Sequence, residues 1–60
     1  MITDLPKDPM LLLSVINTKL RDYYNNLDGL CEDLQVDREW LLSTLGSIDY
    51  KYEENRNQFV

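Results

Sequence analysis

Sixty residues with one cysteine, no histidine and a net charge of −5 exclude more than they allow. A chain this short builds one domain and buries only about 60% of the surface its unfolded form exposes, so it relies on well-fitted helices or on a partner subunit. One thiol closes no internal disulfide and, without histidine, holds no structural zinc; the acidic balance opposes the phosphate contacts on which nucleic-acid binding rests.

Near the start, Met10 to Leu13 with Val15 and Ile16 form an apolar run. It falls short of the roughly 20 residues of a spanning helix and lacks the basic flank of a secretory signal. Asp4, Lys7 and Asp8 precede it, and Asn17, Lys19, Arg21 and Asp22 follow. The expectation is a cytoplasmic protein that does not enter a membrane, and an unpaired cysteine suits that reducing compartment.

Asp8-Pro9 predicts the start of a first helix, over about 9–24. Asp accepts from the free amides of the first turn, and Pro fits the first helical position because its missing N–H is not needed there. Leu12, Val15, Ile16, Leu20 and Tyr23 recur at helical spacing as one buried stripe, while Met10, Leu11 and Leu13 widen the apolar surface toward the tail or another subunit. Asn25-Asn26 ends the helix, since Asn tolerates left-handed angles, and Asn26 also caps the next one.

The second helix, about 27–34, turns Leu27, Leu30, Cys31 and Leu34 inward and carries Asp28 in its first turn, at the positive end of the helix dipole. Gln35-Val36 makes a tight turn with Val36 plugging the corner. Asp37 caps a third helix, about 38–47, in which Trp40, Leu41, Thr44, Leu45 and Ile48 repeat at three- and four-residue steps. Two residues compete to end it: Gly46, a natural stop, and Asp49, able to take the left-handed position after Ile48.

From Ile48 the period changes to two, with Tyr50 and Tyr52 alternating against Asp49 and Lys51. After the polar turn Glu53 to Asn57, the Gln58-Phe59-Val60 segment can pair back as a hairpin, about 49–60, either within one chain or between two. Two strands alone are marginal in water, so Tyr50 or Tyr52 and Phe59 must pack on the helices. The predicted class is mainly α: a three-helix, helix-turn-helix-like bundle with a short C-terminal β-hairpin.

The segments LPKDPMLLLSVINTKLRDYY, LDGLCEDLQVDREWLLSTL and YKYEENRNQF resemble a family of very small bacterial proteins catalogued only as a domain of unknown function. The likeness runs from Leu5 to Phe59. It implies a compact, stand-alone protein and supplies no activity, substrate or catalytic residue. Gly29 departs from the family pattern where a helix former is usual, at about 1 kcal/mol relative to Ala, and Asp49 departs where glycine is usual after the third helix.

Chemistry-bearing residues are sparse. Cys31 occupies the small-residue position between the second and third helices and reads as a buried, inert thiol; redox sensing would need exposure and a lowered pKa. Asp28, Glu32 and Asp33 lack the alternating carboxylates and central Gly of a calcium loop and read as a solvated face. Ser14, Ser43 and Ser47 have no histidine to activate them, and no glycine-rich loop cradles phosphate. No enzyme activity, catalytic residue, cofactor, metal or small-molecule substrate is expected.

Recognition is the function class left. Asn17 and Arg21 stand one turn apart on the first helix, with Lys19 between them. They read either as a tether, for example Arg21 to an acid of the second helix, or with Lys19 as the recognition face for a macromolecule. Trp40 lies where a DNA reader would place base-contacting side chains, but a large aromatic there more often anchors a core or a protein interface. Leu27 to Ile48 holds five acids against one base, Arg38. Lys51 and Arg56 are offset by Glu53 and Glu54. The expected function is therefore a non-enzymatic protein-interaction module, with a protein partner or a second copy of itself as a homodimer, through Asn17, Lys19, Arg21 and Trp40. The alternative is a small helix-turn-helix DNA-binding or transcription-associated protein.

Overall fold

The computed structural model describes residues 5–60. Asp4, counted above among the charges before the apolar run, lies outside the described residues. Three helices, α1 (Pro9–Asp22), α2 (Leu27–Leu34) and α3 (Arg38–Gly46), lead into two strands, β1 (Tyr52–Glu53) and β2 (Gln58–Phe59). The mainly α class and the terminal hairpin are as the patterning predicts.

Each helix begins where a side-chain oxygen captures a free amide of the first turn. Asp8 Oδ2 accepts from the Leu11 N–H at 3.2 Å, with Pro9 in the first helical position. Asn26 Oδ1 accepts from the Gly29 N–H at 2.7 Å, and Asp37 Oδ1 from the Glu39 N–H at 3.2 Å. A Cβ at Gly29 would lie 3.2 Å from that Asn26 oxygen, so the glycine lost to helix propensity leaves room for the cap.

Helices α2 and α3 end in the same way. The Val36 N–H reaches back to the Cys31 carbonyl and the Gln35 N–H to that of Glu32; likewise Tyr50 bonds to Leu45 and Asp49 to Gly46. This pair of crossed bonds demands a left-handed residue after the helix. Gln35 (φ 56°) and Asp49 (φ 67°) supply it. Asp49, not Gly46, is thus the stop of α3, and Gly46 spends no left-handed freedom, since no glycine has positive φ.

The core consists of Leu12, Leu13, Ile16 and Leu20 from α1, Leu27, Leu30 and Cys31 from α2, Leu41 and Leu45 from α3, and Phe59 from β2. Leu34 and Val36 are half-buried against it, as the helix-turn-helix pattern requires of its corner. Tyr23 corrects the predicted stripe: α1 stops at Asp22, the helical phase is lost, and the ring is 75% exposed. Val15, also in that stripe, is only half-buried, whereas Leu13 is buried.

The hairpin closes within the chain, antiparallel, with Tyr52 opposite Phe59 and Glu53 opposite Gln58. Lys51 and Val60 extend it by exchanging two backbone bonds, 3.0 and 2.9 Å. It is shorter at its start than the alternation suggests because Asp49 and Tyr50 are taken up by the end of α3. Phe59 is 1% exposed, and the Tyr52 ring packs on it at 5.5 Å, tilted by 53°. The buried Phe59 ring, with the half-buried Tyr52 ring packed on it, is what makes so short a hairpin stable.

Candidate functional site

Because α1 and β2 are held side by side, an open groove of about 500 Å³ forms along them, walled by Ser14, Asn17, Thr18 and Arg21 on one side and Arg56, Asn57 and Gln58 on the other. Asn17 is its structural centre. The Asn17 side-chain Nδ2 donates to the Phe59 carbonyl at 3.1 Å and its Oδ1 accepts from the Phe59 N–H at 2.7 Å. The amide thereby imitates a neighbouring strand, committing one of its two N–H donors and one lone pair of its oxygen to the hairpin.

Arg21 does not reach an acid of α2. Its guanidinium bonds to the adjacent Asp22, Nε to Oδ1 at 2.9 Å and Nη2 to Oδ2 at 3.0 Å. That hydrogen-bonded pairing holds the Asp22 carboxyl below, and the guanidinium above, their ordinary pKa values. The bridge to α2 comes instead from Tyr24, whose hydroxyl donates to Asp33 Oδ2 at 2.5 Å. The neighbouring carboxylate raises the Tyr24 pKa, because the hydroxyl must keep its proton to make that bond.

Lys19 is two residues from both Asn17 and Arg21, a rotation of about 200° around the helix. It is not among the residues that wall the groove, and its carbonyl closes α1 by accepting from Tyr23 and Tyr24. Trp40 stands apart on α3, next to fully buried Leu41 but itself 41% exposed. It is therefore not a core residue. Of the four candidates, the structure brings together Asn17 and Arg21 only.

Two further polar residues matter more to this site than the sequence suggests. Asn57, left-handed at φ 52°, donates through Nδ2 to the carbonyls of Leu20 at 3.0 Å and Tyr24 at 2.8 Å. Its Oδ1 accepts from the Tyr52 hydroxyl at 2.7 Å, and that hydroxyl accepts in turn from the Leu27 N–H at 3.2 Å. One asparagine and one tyrosine thus finish the end of α1, start α2 and lock the hairpin. No local signal marks them beyond the tolerance of Asn for left-handed angles.

The family model described as a domain of unknown function, DUF4250, matches residues 6–59. The chain belongs to that family. No curated protein and no solved structure matches it. Within this DUF4250 chain, Arg38, in the first turn of α3, is engaged by Asp28 at 2.9 Å, which ties α3 to α2. Cys31 is 7% exposed, and burial pushes its thiol pKa up, the opposite of what an activated nucleophile needs. Among the described residues no group of three or more His, Cys, Asp or Glu is placed to hold a metal ion, and no helix is long and apolar enough to cross a membrane.

Proposed function

We propose that this protein is a non-enzymatic protein-interaction module that acts in the cytoplasm. The observation that carries the reading is Trp40. It is 41% exposed although the core beside it is filled by Leu41 and Leu45, each fully buried. Trp is the side chain most enriched among residues that dominate protein–protein affinity, and an exposed one adds little to a monomer. Met10 and Leu11, 56% and 59% exposed at the start of α1, add apolar surface of the same kind. A net charge of −5 favours a basic partner surface.

The nucleic-acid alternative is weaker. Two of the six cations, Arg21 and Arg38, already face carboxylates, and the net charge of −5 opposes the approach of phosphates. Affinity capture from the native cell, with wild type and Trp40→Ala compared, tests the proposal. A partner held by wild type and lost by Trp40→Ala at nearly unchanged melting temperature supports it. An identical set of captured proteins overturns it. Retardation of DNA in a gel at about 50 mM salt, where electrostatic binding is strong, would favour the alternative.

A further inference from the structure

The hairpin has two edges, and the fold treats them differently. On β2, the outward N–H and C=O of Phe59 are both taken by the Asn17 amide, as described above. On β1, the outward groups belong to Tyr52. Antiparallel ladders alternate between pairs that exchange both bonds and pairs that exchange none. Lys51 and Val60 exchange both, so Tyr52 and Phe59 form a non-bonded pair, and the Tyr52 N–H and C=O point away from β2. Among the described residues nothing pairs with them. An open edge of this kind is a template for another strand. Beside it an open groove of about 420 Å³ separates β1 from α3, bordered by Arg38, Leu42, Gly46, Tyr50, Lys51 and Glu54. Nothing lies within 4 Å of where a Cβ would stand on Gly46, so this wall leaves room for an incoming chain.

We propose that a second copy of this chain occupies the edge, β1 against β1 in antiparallel sense, about a two-fold axis through Tyr52. The strand order becomes β2-β1-β1-β2. The axis lets the Tyr52 N–H of each copy donate to the Tyr52 carbonyl of the other, which is the bonded pair that the alternation requires at this position. It also sets Lys51 opposite Glu53 twice, once on each side of the axis. Both project from the face opposite the Tyr52 side chain, whose hydroxyl is committed to Asn57 and Leu27. Directly opposed charges of opposite sign favour the pairing, whereas like charges oppose it.

Neighbouring registers fail. An axis through Lys51 or Glu53 sets like charges face to face and calls on backbone groups that point toward β2. An axis through Tyr50 needs an N–H that already donates to the Leu45 carbonyl at 3.0 Å. An unrelated extended peptide would use the same backbone groups, whereas a second copy also brings Lys51 and Glu53 in the order that sets each against its opposite charge. This inference uses the β1 edge and stands independently of Trp40.

Sedimentation equilibrium from roughly 10 µM to 1 mM spans the association expected of so small an interface. Wild type is expected to dimerise within it. Lys51→Glu and Glu53→Lys are each expected to weaken the dimer roughly tenfold, and the double exchange to restore it, because the charges oppose again with signs reversed. Chemical synthesis with an N-methyl group on the Tyr52 amide removes the outward donor, leaves the bonds within the monomer intact, and is expected to give a monomer with an unchanged circular dichroism spectrum. A monomeric wild type over the whole range overturns the proposal. So does a dimer that survives N-methylation, or a charge exchange that restores nothing.

Discussion

Asn17 and Phe59, 42 residues apart, are joined by two hydrogen bonds of opposite direction between one side-chain amide and one peptide unit. The pairing protects the outer edge of β2, and it seats the Phe59 ring in the core by fixing the backbone that carries it. Asn17→Ala removes both bonds at once. The expected loss is about 2 kcal/mol of unfolding free energy, from two bonds near 1 kcal/mol each. Urea denaturation checks it, and the Phe59 amide should lose its protection from hydrogen exchange in the same variant.

Tyr52 and Asn57 act as one unit in which a single hydroxyl donates to Asn57 Oδ1 and accepts from Leu27 N–H. Tyr52→Phe keeps the ring on Phe59 and removes only the oxygen, at an expected cost of about 1–2 kcal/mol. Asn57→Ala costs more, because it also abandons the carbonyls of Leu20 and Tyr24. In a double-mutant cycle the two changes should fall short of additivity by at least about 0.5 kcal/mol. Strict additivity would show that the two residues do not cooperate.

The three helix starts were legible in the sequence because an N-cap is a local rule: Asp8, Asn26 and Asp37 each precede an apolar period and act on an amide two or three residues on. The core was legible for the same reason, since Leu12, Ile16, Leu20, Leu30, Leu41 and Leu45 are set by the turn of the helix. Asn57 was not, because its partners Leu20 and Tyr24 lie 37 and 33 residues away. Periodicity places Arg21 on a polar face without saying which carboxylate it takes, and Asp22 is nearer than any acid of α2. Trp40 shows the remaining limit: it shares the spacing of the buried residues and yet stands at the boundary with water.

Gly46 and Asp49 are each placed where the other residue would serve the backbone better. Asp49 holds φ 67° to close α3, and Gly46 lies in the last helical position with open space where a Cβ would go. Asp49→Gly should stabilise the fold by about 0.5–1 kcal/mol by removing left-handed strain. Gly46→Ala should add about 0.4–1 kcal/mol by restricting the unfolded chain. Thermal melts of the two single variants and the pair test this, with both singles expected above wild type.

Cys31 makes stability depend on alkaline pH in a direction fixed by its burial. Burial raises the folded-state pKa of the thiol above its ordinary value near 9. Below that value both folded and unfolded chains carry the protonated thiol, and the contribution is fully present. As pH rises past it, the unfolded chain releases the proton first, so stability falls until the folded-state pKa is also passed. Tyr24, whose pKa is raised by Asp33, shifts the balance the same way, so the Cys31 share is isolated by comparison with Cys31→Ala. The urea midpoint of wild type should drop more steeply between pH 8 and roughly pH 10 than that of the variant. Thiol labelling should follow the same logic, slow in the folded chain and fast in denaturant. Equal slopes, or labelling as fast in the folded protein as in urea, would mean that the thiol meets water in the native state.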